Sequence, residues 1–301
     1  MSAEGEDGGF EAIAREIGVQ LGCECAPEPV SAVSGGSIHR SYRWQCGDTR
    51  LFVKVADYGG AAGLEAEAAG LVALAGARAL RVPHVRARGT AGRSAFLALE
   101  WIESRPAGRV AERRLGERLA AQHRVTAPRF GFDDDNLIGR TRQPNGWLED
   151  WTEFFRERRL RHQLALAVQN GFAATLEQPG ARLLESLDAL LAGHRPQASL
   201  LHGDLWAGNW LADAQEEPVI FDPAVYYGDR EADLAMTRLF GGFGRAFYDA
   251  YHVEAPLPAG HAVRAELYNL YHVLNHANLF GGGYVRQARA SIDHLLAEVR
   301  G

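Results

Sequence analysis

Apolar positions recur in two rhythms along this chain, and the change between them divides it. Phe10, Ile13, Ile17 and Leu21 stand at helical spacing and predict a short amphipathic helix. Residues 30–42 read as strand, glycine turn, strand, with Gly35-Gly36 at the turn. Residues 42–44 and 51–55 predict two further strands across a Cys46-Gly47-Asp48 turn. A helix is predicted over 64–79, with Leu64, Ala68, Leu71 and Ala75 on one face, then one more strand over 95–102. Beyond Val110 the pattern is mainly helical. One helix carries Leu115 and Leu119, and others are predicted over 151–170, 181–194, 264–279 and 286–299. Residues 129–146 read as a long loop. The expected architecture is α+β and bilobal, with a β-rich N-lobe over 10–103 and a larger, mainly helical C-lobe over 104–301. Residues 1–9, acidic and glycine-rich, are expected to be disordered.

Composition narrows the function classes. A formal charge of −6 over 301 residues is the wrong sign for a nucleic-acid partner. No apolar run approaches the ~20 residues of a membrane span, and the first residues lack a signal-peptide pattern. A cytoplasmic monomer is expected. Three cysteines, Cys23, Cys25 and Cys46, lack zinc-ligand spacing and are expected as reduced thiols. Of 32 basic residues only Lys54 is a lysine.

The candidate chemistry centres on residues 200–222. Leu200-Leu201 leads into His202-Gly203-Asp204, Asn209 follows five residues after Asp204, and a second strand-like run, 219–221, delivers Asp222. Two carboxylates and an amide at strand ends can hold magnesium and orient a hydroxyl for phosphoryl transfer. Upstream, Lys54 alternates away from Val53 and Val55 on its strand, and Glu67 falls within the apolar stripe of the following helix. A carboxylate on a packing face needs a partner, and Lys54 is the natural one. Such a pair, downstream of Gly35-Gly36 amides that can approach an anion, would clamp ATP phosphates. The lobe boundary near Glu100–Glu103 is a place for adenine. The run Asp229, Arg230, Glu231, Asp233 is explained in part by helix capping. His276 fits a packed residue and a substrate contact equally.

Taken together, these residues resemble the fructosamine kinase (ketosamine 3-kinase) family, itself related to aminoglycoside phosphotransferases. The resemblance rests on residues 201–209 with Trp206 between the ligands, the run 219–237, and the segments 34–38, 136–139, 143–145, 275–276 and 280–284. It implies Asp204 as catalytic base, Asn209 and Asp222 as magnesium ligands, and Lys54 with Glu67 as the phosphate clamp. Gly35, Gly36 and Ser37 would form the nucleotide loop, and Glu100, Trp101 and Ile102 would border adenine. Trp206 would face the sugar, with His276 as a second substrate residue. The implied reaction is ATP-dependent phosphorylation of the 3-hydroxyl of a ketosamine, on a small amine or a protein lysine, leading to deglycation. A kinase for an aminoglycoside- or choline-like substrate, and a kinase-shaped binding protein without turnover, are the alternatives.

Overall fold

A computed structural model describes residues 4–33 and 40–299, with the side chains of residues 4–8 left aside. The chain runs α1 (Glu4–Leu21), β1 (Ser31–Val33), β2 (Arg40–Cys46), β3 (Thr49–Asp57), α2 (Ala61–Ala77), β4 (Val85–Ala91) and β5 (Ser94–Glu100). These strands form an antiparallel sheet of order β1-β2-β3-β5-β4. Its two faces are both covered. Ile13 and Ile17 of α1 pack with Leu51, Val53, Phe96 and Ala98, while Leu64, Ala68, Leu71 and Leu74 of α2 pack with Ala56, Leu97 and Leu99. Because side chains alternate along a strand, Lys54 lies on the α2 face.

Three features of this lobe depart from expectation. Helix α1 begins at Glu4 rather than near Phe10; once Phe10–Leu21 is fixed by packing, adding turns at its N-terminus needs no new nucleus. Strand β4 is absent from the predicted elements, since Val85–Ala91 holds three exposed positions and, among the described residues, pairs only with β5. Gln20 of α1 bonds the Arg88 carbonyl (3.0 Å) and amide (3.1 Å), which covers part of its free edge. The cysteines are also not all reduced: Cys25 and Cys46 form a disulfide, leaving Cys23 free. The segment after α1 folds back along β2, with Ala26 N–H on the Gln45 carbonyl and Gly47 N–H on the Glu24 carbonyl, which sets the two cysteines opposite each other.

The remainder is mainly helical, as expected. After β6 (Ser104–Arg105) come α3 (Arg109–Gln122), β7 (Thr126–Ala127), β8 (Asn136–Ile138) and β9 (Thr141–Gln143). A helical run follows, with α4 (Trp151–Phe154) and α5 (His162–Ala167) separated by π-helical turns, then α6 (Ala173–Leu190). Strands β10 (Ala198–Leu201), β11 (Trp210–Asp213), β12 (Pro218–Ile220) and β13 (Tyr226–Gly228) make two small sheets with β7 and β6. Helices α7 (Glu231–Leu239), α8 (Arg245–Glu254), α9 (His261–Phe280) and α10 (Gly283–Glu298) close the chain. The predicted loop at 129–146 contains the β8–β9 hairpin. Among the described residues no helix is long and apolar enough to cross a membrane.

Candidate active site

Strand β10 is buried along its whole length, and it ends by presenting His202-Gly203-Asp204. Gly203 has φ +82°, and a Cβ there would lie 2.0 Å from the Ala224 carbonyl oxygen, so only glycine fits. The loop is held from beneath. Asp233, buried in α7, accepts the amides of His202 (2.8 Å) and Gly203 (2.9 Å) and a bond from His123 Nε2 (3.2 Å). Burial alone would raise the Asp233 carboxyl, but the bond from His123 and the Gly203 amide outweigh it and hold it low. His202, also buried, donates from Nε2 to the Phe221 carbonyl (2.9 Å) and accepts the Asp204 amide at Nδ1 (3.2 Å). Burial keeps this imidazole below its usual range and therefore neutral.

Asp204 and Asn209 then meet. Asn209 Nδ2 donates to the Asp204 carbonyl (2.8 Å) and to Asp204 Oδ2 (3.2 Å). With its nitrogen committed there, the amide turns Oδ1 the other way. Phe221 N–H on the Asn209 carbonyl (3.0 Å) brings Asp222 alongside. Asp222 sits at φ +56°, a left-handed conformation that aspartate tolerates better than most residues. Burial, and next the charge of Asp222, push the Asp204 carboxyl up to about 7 against the opposing bond from Asn209.

Lys54 joins the two lobes. Its Nζ is 2.8 Å from Glu67 Oε1 and 2.6 Å from Asp222 Oδ1. Burial would lower the lysine, yet the two carboxylates more than offset it, so Lys54 is held above its usual value and charged. Glu67 is pushed upward by burial and only partly pulled back by Lys54. Helix α2 reaches this position because Gly70 lets it approach Pro223 and Val225; a Cβ on Gly70 would lie 3.2 Å from each. The sequence-predicted pairing of Lys54 with Glu67, and their convergence with Asp204, Asn209 and Asp222, is what the fold produces.

These five residues line one end of a cavity of about 450 Å³. Trp206 and His276 line it too, as do Phe240, Phe280, Tyr284 and the Asn136–Arg140 segment. Asn209 Oδ1 and the Asp222 carboxylate are hard oxygen donors, the set that suits magnesium rather than a softer metal. A buried cation, Lys54, faces the same space and suits phosphate oxygens.

Comparison with known proteins decides the family. The profile described as fructosamine kinase matches residues 9–298. The chain belongs to the fructosamine kinase family. A Synechocystis protein named as a probable ketoamine kinase is 42% identical over 95% of this chain and 97% of its own. The chloroplastic protein-ribulosamine 3-kinase of Arabidopsis thaliana is 41% identical over 89% of this chain and 82% of its own. A crystal structure from Haemophilus somnus, named as a candidate fructosamine-3-kinase, matches with TM-score 0.87 at 27% identity, covering 97% of this chain and 99% of that one. An aminoglycoside phosphotransferase variant solved with ADP and hygromycin B, 16% identical, shares the fold alone, with TM-score 0.60 over 96% of this chain and 99% of its own. This fructosamine kinase family member is thus a bilobal, protein-kinase-like enzyme, a phosphotransferase with ATP as donor and a hydroxyl group as acceptor.

Not every predicted residue joins the kinase's cavity. Glu100, Trp101 and Ile102 are absent from its lining. The Glu100 carboxylate is taken by Arg81 (2.8 Å) and His84 Nδ1 (2.8 Å), and those bonds hold it below its usual range even though burial opposes them. Gly35, Gly36 and Ser37 lie outside the described residues. Conversely, sequence reasoning misses Asp233, Phe240, Tyr284 and the Asn136–Arg140 turn as site residues. Asp233 belongs to an acidic cluster that capping explains in part, and nothing in sequence spacing ties Phe240 to His276.

Proposed function

We propose that this kinase transfers the γ-phosphoryl group of ATP to the 3-hydroxyl of a ketosamine, a sugar–amine adduct on a small amine or a protein lysine. The observation that carries the reading is the convergence of Asp204, Asn209, Asp222 and the Lys54–Glu67 pair at one end of a cavity whose other end is aromatic. The substrate class rests on the family and on the ketoamine and ribulosamine kinases it contains.

Each residue has a defined task on this reading. Asp204, near 7 because of burial and Asp222, accepts the proton of the attacking hydroxyl. The hydroxyl oxygen bonds to the γ-phosphorus as the bond to the bridging oxygen breaks, and ADP departs. Lys54, steadied by Glu67, holds phosphate oxygens. Asn209 and Asp222 would hold magnesium, which when bound neutralises phosphate charge and offsets the Asp222 charge felt by Asp204. Gly35, Gly36 and Ser37 supply phosphate-facing amides, and the backbone of Glu100, Trp101 and Ile102 borders adenine. Trp206 gives the sugar a flat surface. We take the N-lobe to end at residue 103, a reading supported by the pairing of Ser104–Arg105 with β11. ATP as donor suits a cytoplasmic enzyme. The 3-phosphate ester is unstable and sheds the sugar, which frees the amine.

The test is ADP release with magnesium ATP on a panel of fructosyl- and ribulosyl-lysine, an aminoglycoside and choline. Turnover confined to the ketosamines is expected. Turnover on the aminoglycoside or choline alone would overturn the assignment.

A further inference from the structure

Away from Lys54 the cavity carries a cluster of rings, gathered around His276. Its imidazole centroid is 5.1 Å from Phe240, 5.0 Å from Tyr284 and 5.7 Å from Phe280, and Trp206 meets Phe240 edge-on at 6.4 Å. The chain brings Tyr284 back to His276 through Gly281 (φ +65°) and Gly282 (φ +59°), which end α9 and start α10 in conformations that favour glycine. Phe280 and Phe240 are 66% and 45% exposed. Large rings held this open at the mouth of a cavity mark a binding surface rather than a core.

One polar feature of this end suits a cation, the outward nitrogen of His276. His276 Nδ1 is 2.7 Å from the His272 carbonyl, which only accepts, so Nδ1 carries the proton. In the neutral ring Nε2, on the opposite side, is then an acceptor, and no hydrogen bond to it is formed among the described residues. The carboxylates lining the cavity are Glu67, Asp204 and Asp222. All three already have partners in Lys54 and Asn209. Arg140 also lines the cavity, from the β8–β9 turn, and its side chain is not free. Ring faces with an imidazole acceptor suit an alkylammonium group: the π faces attract the charge, and Nε2 accepts an N–H.

We propose that the Phe240–His276–Phe280–Tyr284 cluster is the subsite for the substrate's protonated secondary amine. This deepens the proposed function and rests on it. With the acceptor hydroxyl at Asp204 and the sugar along Trp206, the nitrogen reaches the ring cluster, and its alkyl limb leaves between Phe240 and Phe280 into solvent. The enzyme thereby selects sugars carrying a basic nitrogen over neutral sugars of the same shape, and it tolerates a long limb on that nitrogen.

The experiment compares kcat/KM for 1-deoxy-1-propylamino-fructose with that for 1-O-propyl-fructose, in which a neutral ether oxygen replaces the nitrogen. The native enzyme is expected to favour the amine at least tenfold. Phe240→Leu, Phe280→Leu and His276→Phe are each expected to cut that preference at least threefold. The ratio is taken between two substrates on one enzyme, so partial loss of folded protein cancels. Phe280→Leu alters an exposed ring and decides the matter if the others fail to fold. Equal kcat/KM on amine and ether in the native enzyme, or variants that lower both substrates in proportion, would overturn the subsite while leaving the kinase assignment standing. Turnover of neither compound, nor of any other ketosamine, would remove both.

Discussion

Asp204 carries two opposed demands. On the proposed mechanism it is the base, while burial and the neighbouring Asp222 both disfavour its charge. Asp204→Asn keeps the oxygen that accepts from Asn209 and removes the base. We expect kcat to fall by about 10²–10⁴-fold with little change in the ATP KM, measured by coupled ADP release. Stability should move the other way. Its folded value lies near 7, against 3.8 for an unperturbed aspartate, so the native state holds a proton that the unfolded chain gives up as pH rises between those values. Asp204 therefore removes stability as pH climbs from about 4 to about 7, by up to ~1.4 kcal/mol per pH unit. In metal-free buffer the Asn variant should gain on the native protein across that range by urea denaturation. A constant difference at all pH values would show that Asp204 is not held protonated.

At the scale of elements, strand ends set the site and loops hold it. The alternation on β3 and the helical stripe on α2 predict that Lys54 and Glu67 face each other, because a buried lysine and a carboxylate on the packing face each need an opposite charge. The segment from β10 to Asp222 is equally legible, since polar residues at the ends of buried strands have few places to go. What is not legible depends on contacts distant in sequence. Asp233 is tied to the amides of His202 and Gly203 about 30 residues away. Strand β4 and the β8–β9 hairpin carry too few apolar residues to be seen by period alone. The disulfide exists because the chain after α1 doubles back on β2, and the spacing of Cys25 and Cys46 does not announce that. With it goes the cysteine-based argument for a reducing compartment. Gly203 offers the sharpest check at this scale. Gly203→Ala combines an unfavourable φ with a Cβ pressed on the Ala224 carbonyl, so stability should drop by about 2–4 kcal/mol and activity with it. A variant as stable as the native protein would mean the loop adopts another path.

Across the whole molecule, the site exists only where the two lobes meet. Lys54 comes from the sheet of one, Asp222 from the other, and α2 packs through Gly70 onto the segment that follows Asp222. The disulfide sits at the opposite side of the sheet, among the α1-face residues, and closes a loop with a sequence separation of 21. Replacing both cysteines, Cys25→Ala with Cys46→Ala, should cost about 3 kcal/mol through the freer unfolded chain. Since neither residue lines the cavity, kcat/KM at 25 °C should stay within about twofold. A large loss of activity in a folded double variant would show that α1 and β2 act on the cleft.

The position of the phosphate tests the central claim most directly. Native enzyme, magnesium ATP and fructosyl-lysine are incubated, and the product is followed by phosphorus–proton correlated NMR. The phosphorus should couple to the proton on carbon 3, the signal should give way to free lysine and inorganic phosphate, and Asp204→Asn should yield neither. Phosphate on a different hydroxyl, or no phosphate on any ketosamine offered, would contradict the account.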